Sequence, residues 1–227
     1  MKKHIREKLK EWGINHPRIW RLLTNGGGSL RVKGTGNQVI NDAISLKGCS
    51  IKVLGNNNKI EIGKEVRMNN VDITITGDGH RLNIGKGVRF VEGGRVRMED
   101  VANTIKIGEK TTIYNAFLSV GDKHTKIVIG RDCLFSVDVI LRTSDSHSIF
   151  MTDGYSRINQ GEDIILGDHV WLCNGVNVLK GVKIGDGAVV GTQSVVTKSI
   201  SPQSIACGNP AKIVKTNIRW DEQRVYQ

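Results

Sequence analysis

The sequence is poor in aromatic residues and in cysteines, and each shortage excludes a class of function. Phe, Trp and Tyr make up only 5% of the 227 residues, so platforms on which nucleic-acid bases could stack are scarce despite a net charge of +11. The four cysteines lie far apart, at Cys49, Cys133, Cys173 and Cys207, and form no Cys-x-x-Cys pair. This spacing argues against a zinc knuckle or a disulfide framework and predicts a reducing, cytoplasmic setting.

Long apolar runs are also absent. No stretch approaches the ~18 apolar residues that a membrane span needs, and charges interrupt the N-terminus where a secretory signal would have its apolar core. We therefore expect no transmembrane segment and no export. The first 33 residues carry nine lysines and arginines against two glutamates, a net charge of +7. We expect these charges to lie on a solvated face of a helix. The alternative is that they associate weakly with an anionic polymer or an acidic membrane surface.

The sequence instead contains a repeat. Five stretches share the pattern of a branched apolar residue, any residue, Ile or Leu, and Gly: 60–63, 82–85, 105–108, 127–130 and 164–167. The first four recur every 22 or 23 residues, and from Leu166 onward apolar residues recur every six. A helical period of 3.6 does not keep residues six apart on one face, whereas short stacked strands share one continuous core. The repeat therefore predicts an all-β solenoid.

The repeat also divides the chain into segments. Residues 1–28 are predicted to be a helical appendage that caps the solenoid, because Ile5, Leu9 and Trp12 fall on one helical face. Residues 29–211 are predicted to form the parallel β-helix, and residues 212–227 a basic C-terminal tail.

One interval in the repeat is too long for a single minimal coil. The 37 residues between Ile129 and Leu166 predict about two minimal coils with one short excursion spliced in, near 149–160. A loop that leaves a rigid stack is a good place for a substrate wall, because the scaffold fixes both of its ends.

The segment 142–148, directly before this excursion, is the most polar point of the repeat. His147 is a candidate general base, because an imidazole titrates near ~6.5 and can accept a proton from an alcohol or an amine at neutral pH. Asp145 or Ser146 could orient the ring. A loop histidine is also commonly structural or solvated, so these residues alone leave both interpretations open.

Five segments between Ile140 and Lys215 add a more specific pattern: 144–149, 163–171, 189–191, 194–198 and 208–212. Together they resemble the hexapeptide-repeat acyltransferases, and especially the sugar and capsular-polysaccharide O-acetyltransferases. The resemblance implies a left-handed parallel β-helix, an exception to the usual handedness of β crossovers.

The resemblance also implies site residues. The family's catalytic histidine falls on His147, and its tryptophan at the acyl-donor site, 24 positions later, falls on Trp171. Positions that offer amides and basic groups to the pantetheine and phosphates of acetyl-CoA carry over to Asn174, Thr192, Thr197, Lys198, Lys212 and Lys215. Asn174 and Thr192 stand where Ser and Ala are common in the family.

The implied reaction is direct transfer without an acyl-enzyme. His147 removes a proton from an acceptor hydroxyl as that oxygen attacks the thioester carbonyl of acetyl-CoA, and the acceptor is expected to be a sugar in surface or capsular polysaccharide biosynthesis. The resemblance further implies a homotrimer with the donor site in the groove between subunits.

Three other functions are compatible with such a solenoid. N-acetylation of a nucleotide-linked amino sugar uses the same donor, although residues 1–33 show no nucleotide-binding β-α-β unit. A β-helix carbonic anhydrase holds zinc with three histidines, and His124, His147 and His169 are 23 and 22 residues apart; that family has two of its ligands close together, so we expect no metal. The third alternative is a catalytically silent binding solenoid.

Overall fold

The computed structural model describes residues 28–223, 225 and 226. These residues form 22 β-strands. They contain no helix, and so none that is long and apolar enough to cross a membrane. The helical appendage predicted over 1–28 lies, apart from Gly28, outside the described residues.

In chain order the strands are β1 (Ser29–Lys33), β2 (Gln38–Asn41), β3 (Ser45–Lys47), β4 (Ser50–Leu54), β5 (Lys59–Ile62), β6 (Arg67–Asn69), β7 (Val71–Thr76), β8 (Arg81–Ile84), β9 (Arg89–Met98), β10 (Thr104–Ile107), β11 (Thr112–Val120), β12 (Lys126–Ile129), β13 (Leu134–Phe135), β14 (Val139–Arg142), β15 (Ile164–Leu166), β16 (Trp171–Leu172), β17 (Asn177–Val178), β18 (Lys183–Ile184), β19 (Val189–Val190), β20 (Val195–Val196), β21 (Ile205–Gly208) and β22 (Ala211–Lys215).

These strands wind into coils with three faces. The first face consists of β1, β4, β7, β14, β17 and β20, the second of β2, β5, β8, β10, β12, β15 and β18, and the third of β3, β6, β13, β16, β19 and β21. The long strands β9 and β11 run from the third face into the first. Strands of successive coils pair in parallel, and β22 folds back antiparallel on β21. The predicted parallel β-solenoid is confirmed.

The apolar residues of the repeat stack in register along the second face. Ile60 pairs with Leu82, Leu82 with Ile105, Ile105 with Ile127, and Ile127 with Ile164. All five are buried in a single core that runs through the whole stack. A strand of four residues is too short to bury its side chains alone, so each coil is stabilised by its neighbours.

The expectation of two coils between Ile129 and Leu166 is wrong. Ile127 pairs directly with Ile164, so one coil spans this interval. Strands β13 and β14 supply its other two faces, and residues 144–161 leave the stack between β14 and β15. The extra length lies in this segment, which we call the excursion, because its backbone pairs with itself rather than with neighbouring coils.

Candidate active site

A buried polar ladder lines the corner between the first and second faces and ends at the excursion. Its members are Asn37, Asn58, His80, Asn103, Thr125 and Thr143. Asn58 N donates to Asn37 Oδ1 over 3.0 Å, Thr125 N donates to Asn103 Oδ1 over 2.7 Å, and the hydroxyls of Thr125 and Thr143 lie 2.9 Å apart. Burial lowers the pKa of His80, so a neutral ring accepts from Asn103 N over 3.2 Å. The ladder fixes the point at which the chain leaves the stack.

The excursion folds as a short hairpin. Phe150 and Arg157 form an antiparallel bridge, and Ile158 N donates to Ile149 O over 2.9 Å. Toward its tip the side chains are exposed, and Tyr155 is fully so. The hairpin therefore holds its shape through its base rather than through a core of its own.

Asn159 organises that base and is a buried residue, only 8% exposed. Its Oδ1 accepts from Ile149 N over 2.8 Å and from Arg157 Nε over 3.0 Å. Its Nδ2 donates to His147 O over 2.8 Å and to Asp145 Oδ2 over 2.9 Å. One amide therefore holds the main chain at His147 and Ile149 and the side chain of Asp145.

An ion pair ties the hairpin to the preceding coil. Arg157 Nη1 and Nη2 donate to the two carboxylate oxygens of Asp122 over 2.8 and 2.9 Å, and Nη2 also donates to Asn159 O over 3.2 Å. The hydrogen bond from Arg157 lowers the pKa of Asp122, although partial burial opposes the shift. Bidentate pairs of this kind impose geometry as well as charge, so the hairpin has a defined orientation on the stack.

His147 itself is exposed at the start of the hairpin. Its N donates to Asp145 O over 2.8 Å. The Asp145 carboxylate, however, accepts from Lys180 Nζ and from Asn159 Nδ2, and the Lys180 bond lowers the pKa of Asp145. Within the part of the chain that the structure describes, no side chain bonds to the His147 ring. Asp145 thus contacts His147 through the main chain, and its role in orienting the imidazole stays a prediction.

Three of the predicted donor-site residues, Trp171, Asn174 and Thr192, lie on two successive coils of the regular part. Trp171 in β16 is half-buried and pairs with Val189 of the next coil. Gln193, adjacent to Thr192, donates from N to Asn174 O over 2.8 Å and from Nε2 to Asn174 Oδ1 over 3.3 Å. The structure therefore places Gln193, the neighbour of Thr192, against Asn174 across one coil step.

The other four predicted donor-site residues are exposed on two faces. Thr197 and Lys198 directly follow β20 on the first face, whereas Lys212 and Lys215 lie on β22, which extends the third face as its last strand. Within one chain, therefore, Lys198 does not lie on the same face as Lys212 and Lys215.

Sequence reasoning missed Trp220, which the C-terminal tail places beside Trp171. The Trp220 ring stacks on His169 with centroids 3.9 Å apart and lies 5.5 Å from Trp171 at a tilt of 44°. Its Nε1 donates to His169 O over 2.9 Å, and His169 Nδ1 lies 3.1 Å from Asp132 Oδ2. No spacing rule links Trp220 to the repeat, so only the fold reveals that the tail covers one side of Trp171.

The histidines considered as zinc ligands have other surroundings. His169 is engaged by Asp132 and Trp220, and His124 is exposed in a turn. Across residues 28–223, 225 and 226, no group of three or more His, Cys, Asp or Glu side chains is arranged to hold a metal ion.

This arrangement can perform proton transfer at a solvent-accessible edge. An exposed imidazole can take a proton from an alcohol at neutral pH. The Lys180 side chain, 20% exposed, lies on the coil beside it, and its ammonium is paired with Asp145. The site thus joins a loop that carries an exposed histidine to a regular stack that carries an indole and amide groups.

Comparisons with known proteins add an independent line of evidence. The family model described as bacterial transferase hexapeptide (six repeats) matches residues 163–198. The polysialic acid O-acetyltransferase of Neisseria meningitidis is 36% identical over 190 residues, which cover 81% of this chain and 87% of that protein. The polysialic acid O-acetyltransferase of Escherichia coli O1:K1 / APEC is 38% identical over 136 residues, 59% of this chain but only 44% of that protein.

Two crystal structures are similar over nearly the whole solenoid. The polySia-specific acetyltransferase NeuO superposes with a TM-score of 0.80 at 35% identity, covering 86% of this chain and 89% of that one. The polysialic acid O-acetyltransferase OatWY superposes with a TM-score of 0.79 at 32% identity, covering 87% of this chain and 93% of that one. These similarities confirm the predicted left-handed parallel β-helix.

Proposed function

This chain belongs to the family of hexapeptide-repeat acetyltransferases, and from that premise we propose that it transfers an acetyl group from acetyl-CoA to a sugar hydroxyl of a surface or capsular polysaccharide. The observation that carries the proposal is the 36% identity to a polysialic acid O-acetyltransferase over 87% of that protein's length. Similarity of this extent includes both the regular coils and the coil that bears the excursion.

His147 is proposed as the general base. The acceptor oxygen forms a bond to the thioester carbonyl carbon while the imidazole takes the hydroxyl proton. The carbon–sulfur bond then breaks, and the imidazolium returns the proton to the departing thiolate. The base of the hairpin supports this role because Asn159 holds His147 O at 2.8 Å and so limits where the ring can reach.

The donor is proposed to lie along the regular coils. Trp171 would pack against it, and Asn174, Thr192 and Thr197 would bond to its pantetheine arm. The residues present suit such a ligand, because Lys198, Lys212 and Lys215 are exposed cations that match several phosphate charges. These lysines lie on two faces, so we propose a homotrimer in which neighbouring subunits complete the donor groove, in a cytoplasmic enzyme without a metal.

The test is acetyl transfer by purified wild type and His147→Ala, with free CoA and product mass as readouts. The acceptors are polysialic acid, other capsular oligosaccharides, neutral sugars and nucleotide-linked amino sugars. We expect wild type to add one acetyl group to a hydroxyl and His147→Ala to turn over roughly 10²–10⁴ times more slowly, the usual span for a lost general base.

The matched control is His124→Asn, which changes another exposed histidine while keeping a residue that tolerates its left-handed backbone, φ 60°. It should retain wild-type turnover. Near-normal turnover in His147→Ala would remove His147 from the mechanism. If wild type acetylates only an amine, the protein is an N-acetyltransferase rather than an O-acetyltransferase. If wild type neither releases nor binds CoA, the proposed function is wrong.

A further inference from the structure

The first face carries a column of basic side chains, one above another in register. Parallel pairing of β1, β4, β7, β9, β11 and β14 aligns six positions between the core residues of the first face, and of these only Ser119 is buried. In order they are Arg31, Lys52, Thr74, Arg97, Ser119 and Arg142. Four of the six are cations and none is acidic, so we call this set the cationic column.

The positive charge of the column is largely uncompensated. Among the described residues, Arg31, Lys52 and Arg142 have no ion pair, and Arg97 has only a long contact of 3.9 Å with Glu99. Cations on the second face are only partly paired. There Lys59 lies 2.8 Å from Glu61 and Lys126 lies 3.3 Å from Asp163, whereas Arg81, Lys106 and Lys183 form no ion pair among the described residues. The column on the first face differs in that it joins four cations in one register, of which only Arg97 has an ion-pair contact.

The column leads to the candidate active site. Six strands separated by about 4.8 Å give it a length of about 24 Å. At its end, Arg142 Nη2 donates to Ser146 Oγ over 3.2 Å, one residue before His147. A chain lying on the column would reach the excursion without crossing a corner of the solenoid.

A cavity beside the column offers the chemistry that binds sugar hydroxyls. It has a volume of about 260 Å³ and is lined by Asn70, Asp72, Glu92, Arg95, Asn115 and Phe117, among others. The Arg95 guanidinium lies 4.8 Å from the centroid of the Phe117 ring. Amides and carboxylates that converge around an aromatic ring can accept and donate hydrogen bonds to a polyhydroxylated ligand while the ring contacts its apolar side.

We propose that the first face binds an extended anionic saccharide chain, whose acidic groups meet the cationic column, whose hydroxyls enter the cavity beside Arg95, and whose distal end lies at His147. This deepens the proposed function, on which it rests, by locating on the first face the surface that binds the acceptor chain. Simultaneous contact with several weak sites raises the affinity for a long chain far above that for a short one. Charge on one face also attracts such a polymer from a distance.

The test compares two charge-matched triple variants. The column variant is Arg31→Gln, Lys52→Gln and Arg97→Gln, and the control variant is Arg81→Gln, Lys106→Gln and Lys183→Gln, all exposed on the second face. The probes are long polysialic acid chains and a short sialic acid oligomer. Calorimetry at low and high salt measures binding, and CoA release measures transfer.

We expect the column variant to bind the long chain at least about tenfold more weakly at low salt, and its affinity to depend less on salt. Its KM for the long chain should rise by a similar factor, while kcat and the KM for the short oligomer stay at wild-type values. The control variant should match wild type in every measurement, and thermal unfolding checks that both variants fold.

Three results would overturn the proposal: equal weakening in both triple variants, wild-type affinity in the column variant, or no binding of long polysialic acid by wild type. Failure of the proposed function looks different. If wild type transfers no acetyl group but binds the polymer, and only the column variant loses that binding, the column is a binding site although the proposed function is wrong. If the column variant transfers acetyl groups with an unchanged KM for the long chain, the proposed function stands and the column is not the binding site.

Discussion

The stack and the excursion are stabilised by different means. In the stack, every coil repeats the same parallel backbone pairing over a shared apolar core, so no single side chain decides its position. In the excursion, residues 144–161, the backbone forms the Phe150–Arg157 bridge and local turn hydrogen bonds, and a few side chains centred on Asn159 hold the rest. The segment that carries His147 can therefore leave the repetitive stack because a small network of polar side chains takes the place of the backbone pairing between coils.

The largest expected effect follows from the close approach of backbones within the stack. A Cβ placed on Gly130 would lie 2.1 Å from Gly167 O, a backbone atom of the next coil that cannot move aside. Gly130→Ala should therefore lower the free energy of unfolding by about 1–3 kcal/mol, as overpacking of a core does. Thermal or chemical denaturation measures the loss.

Gly154→Ala is the matched control in the excursion. No atom lies within 4 Å of a Cβ built there, so the change should stay within about 0.5 kcal/mol. Equal losses in the two variants would mean that stack and excursion are not distinct in packing.

The next effect is confined to the excursion. Asn159→Ala removes the bonds to Ile149 N, His147 O and Asp145 Oδ2, and each typically contributes about 1 kcal/mol. We expect kcat/KM to fall about tenfold and amide exchange across the hairpin to accelerate, with little change in the unfolding midpoint of the stack. Hydrogen exchange resolved by segment separates the two regions.

Thr152→Ala, at the exposed tip of the same hairpin, serves as the control and should leave activity and exchange unchanged. If Asn159→Ala lowered the unfolding midpoint of the whole protein without accelerating exchange in the hairpin, Asn159 would belong to the stack rather than to the excursion.

The same division explains what the sequence could predict. The Gly at the end of each repeat, such as Gly130, is required because the next backbone lies against it, so the repeat pattern reports the coils directly. The excursion has no such rule. Its position was predictable from the long interval before Leu166, but the pairing of Asp145 with Lys180 joins residues 35 apart on different coils. Trp220, 51 residues from its partner His169, was equally hidden.

The smallest expected effect is a dependence of the excursion on pH. Arg157 lowers the pKa of Asp122 in the folded state below its ordinary value of about 4. A lowered pKa stabilises the fold above the unfolded pKa, and this contribution is lost as pH falls through the folded pKa. The pair is partly exposed, so it contributes roughly 0.2–1 kcal/mol. The protection of the hairpin amides, after correction for the intrinsic slowing of exchange in acid, should therefore fall modestly on acidification to about pH 3.

Asp122→Asn isolates this contribution, because the amide keeps an acceptor for Arg157 but does not titrate. Its hairpin amides should be less protected than those of wild type at neutral pH and should lose less further protection in acid. Some loss of protection should persist, since Lys180 lowers the pKa of Asp145 in the same direction and that pair also holds the hairpin. If Asp122→Asn lost as much protection in acid as wild type does, the Arg157–Asp122 pair would not anchor the excursion. Asn159 and the Lys180–Asp145 pair would then be the contacts that hold the excursion on the stack.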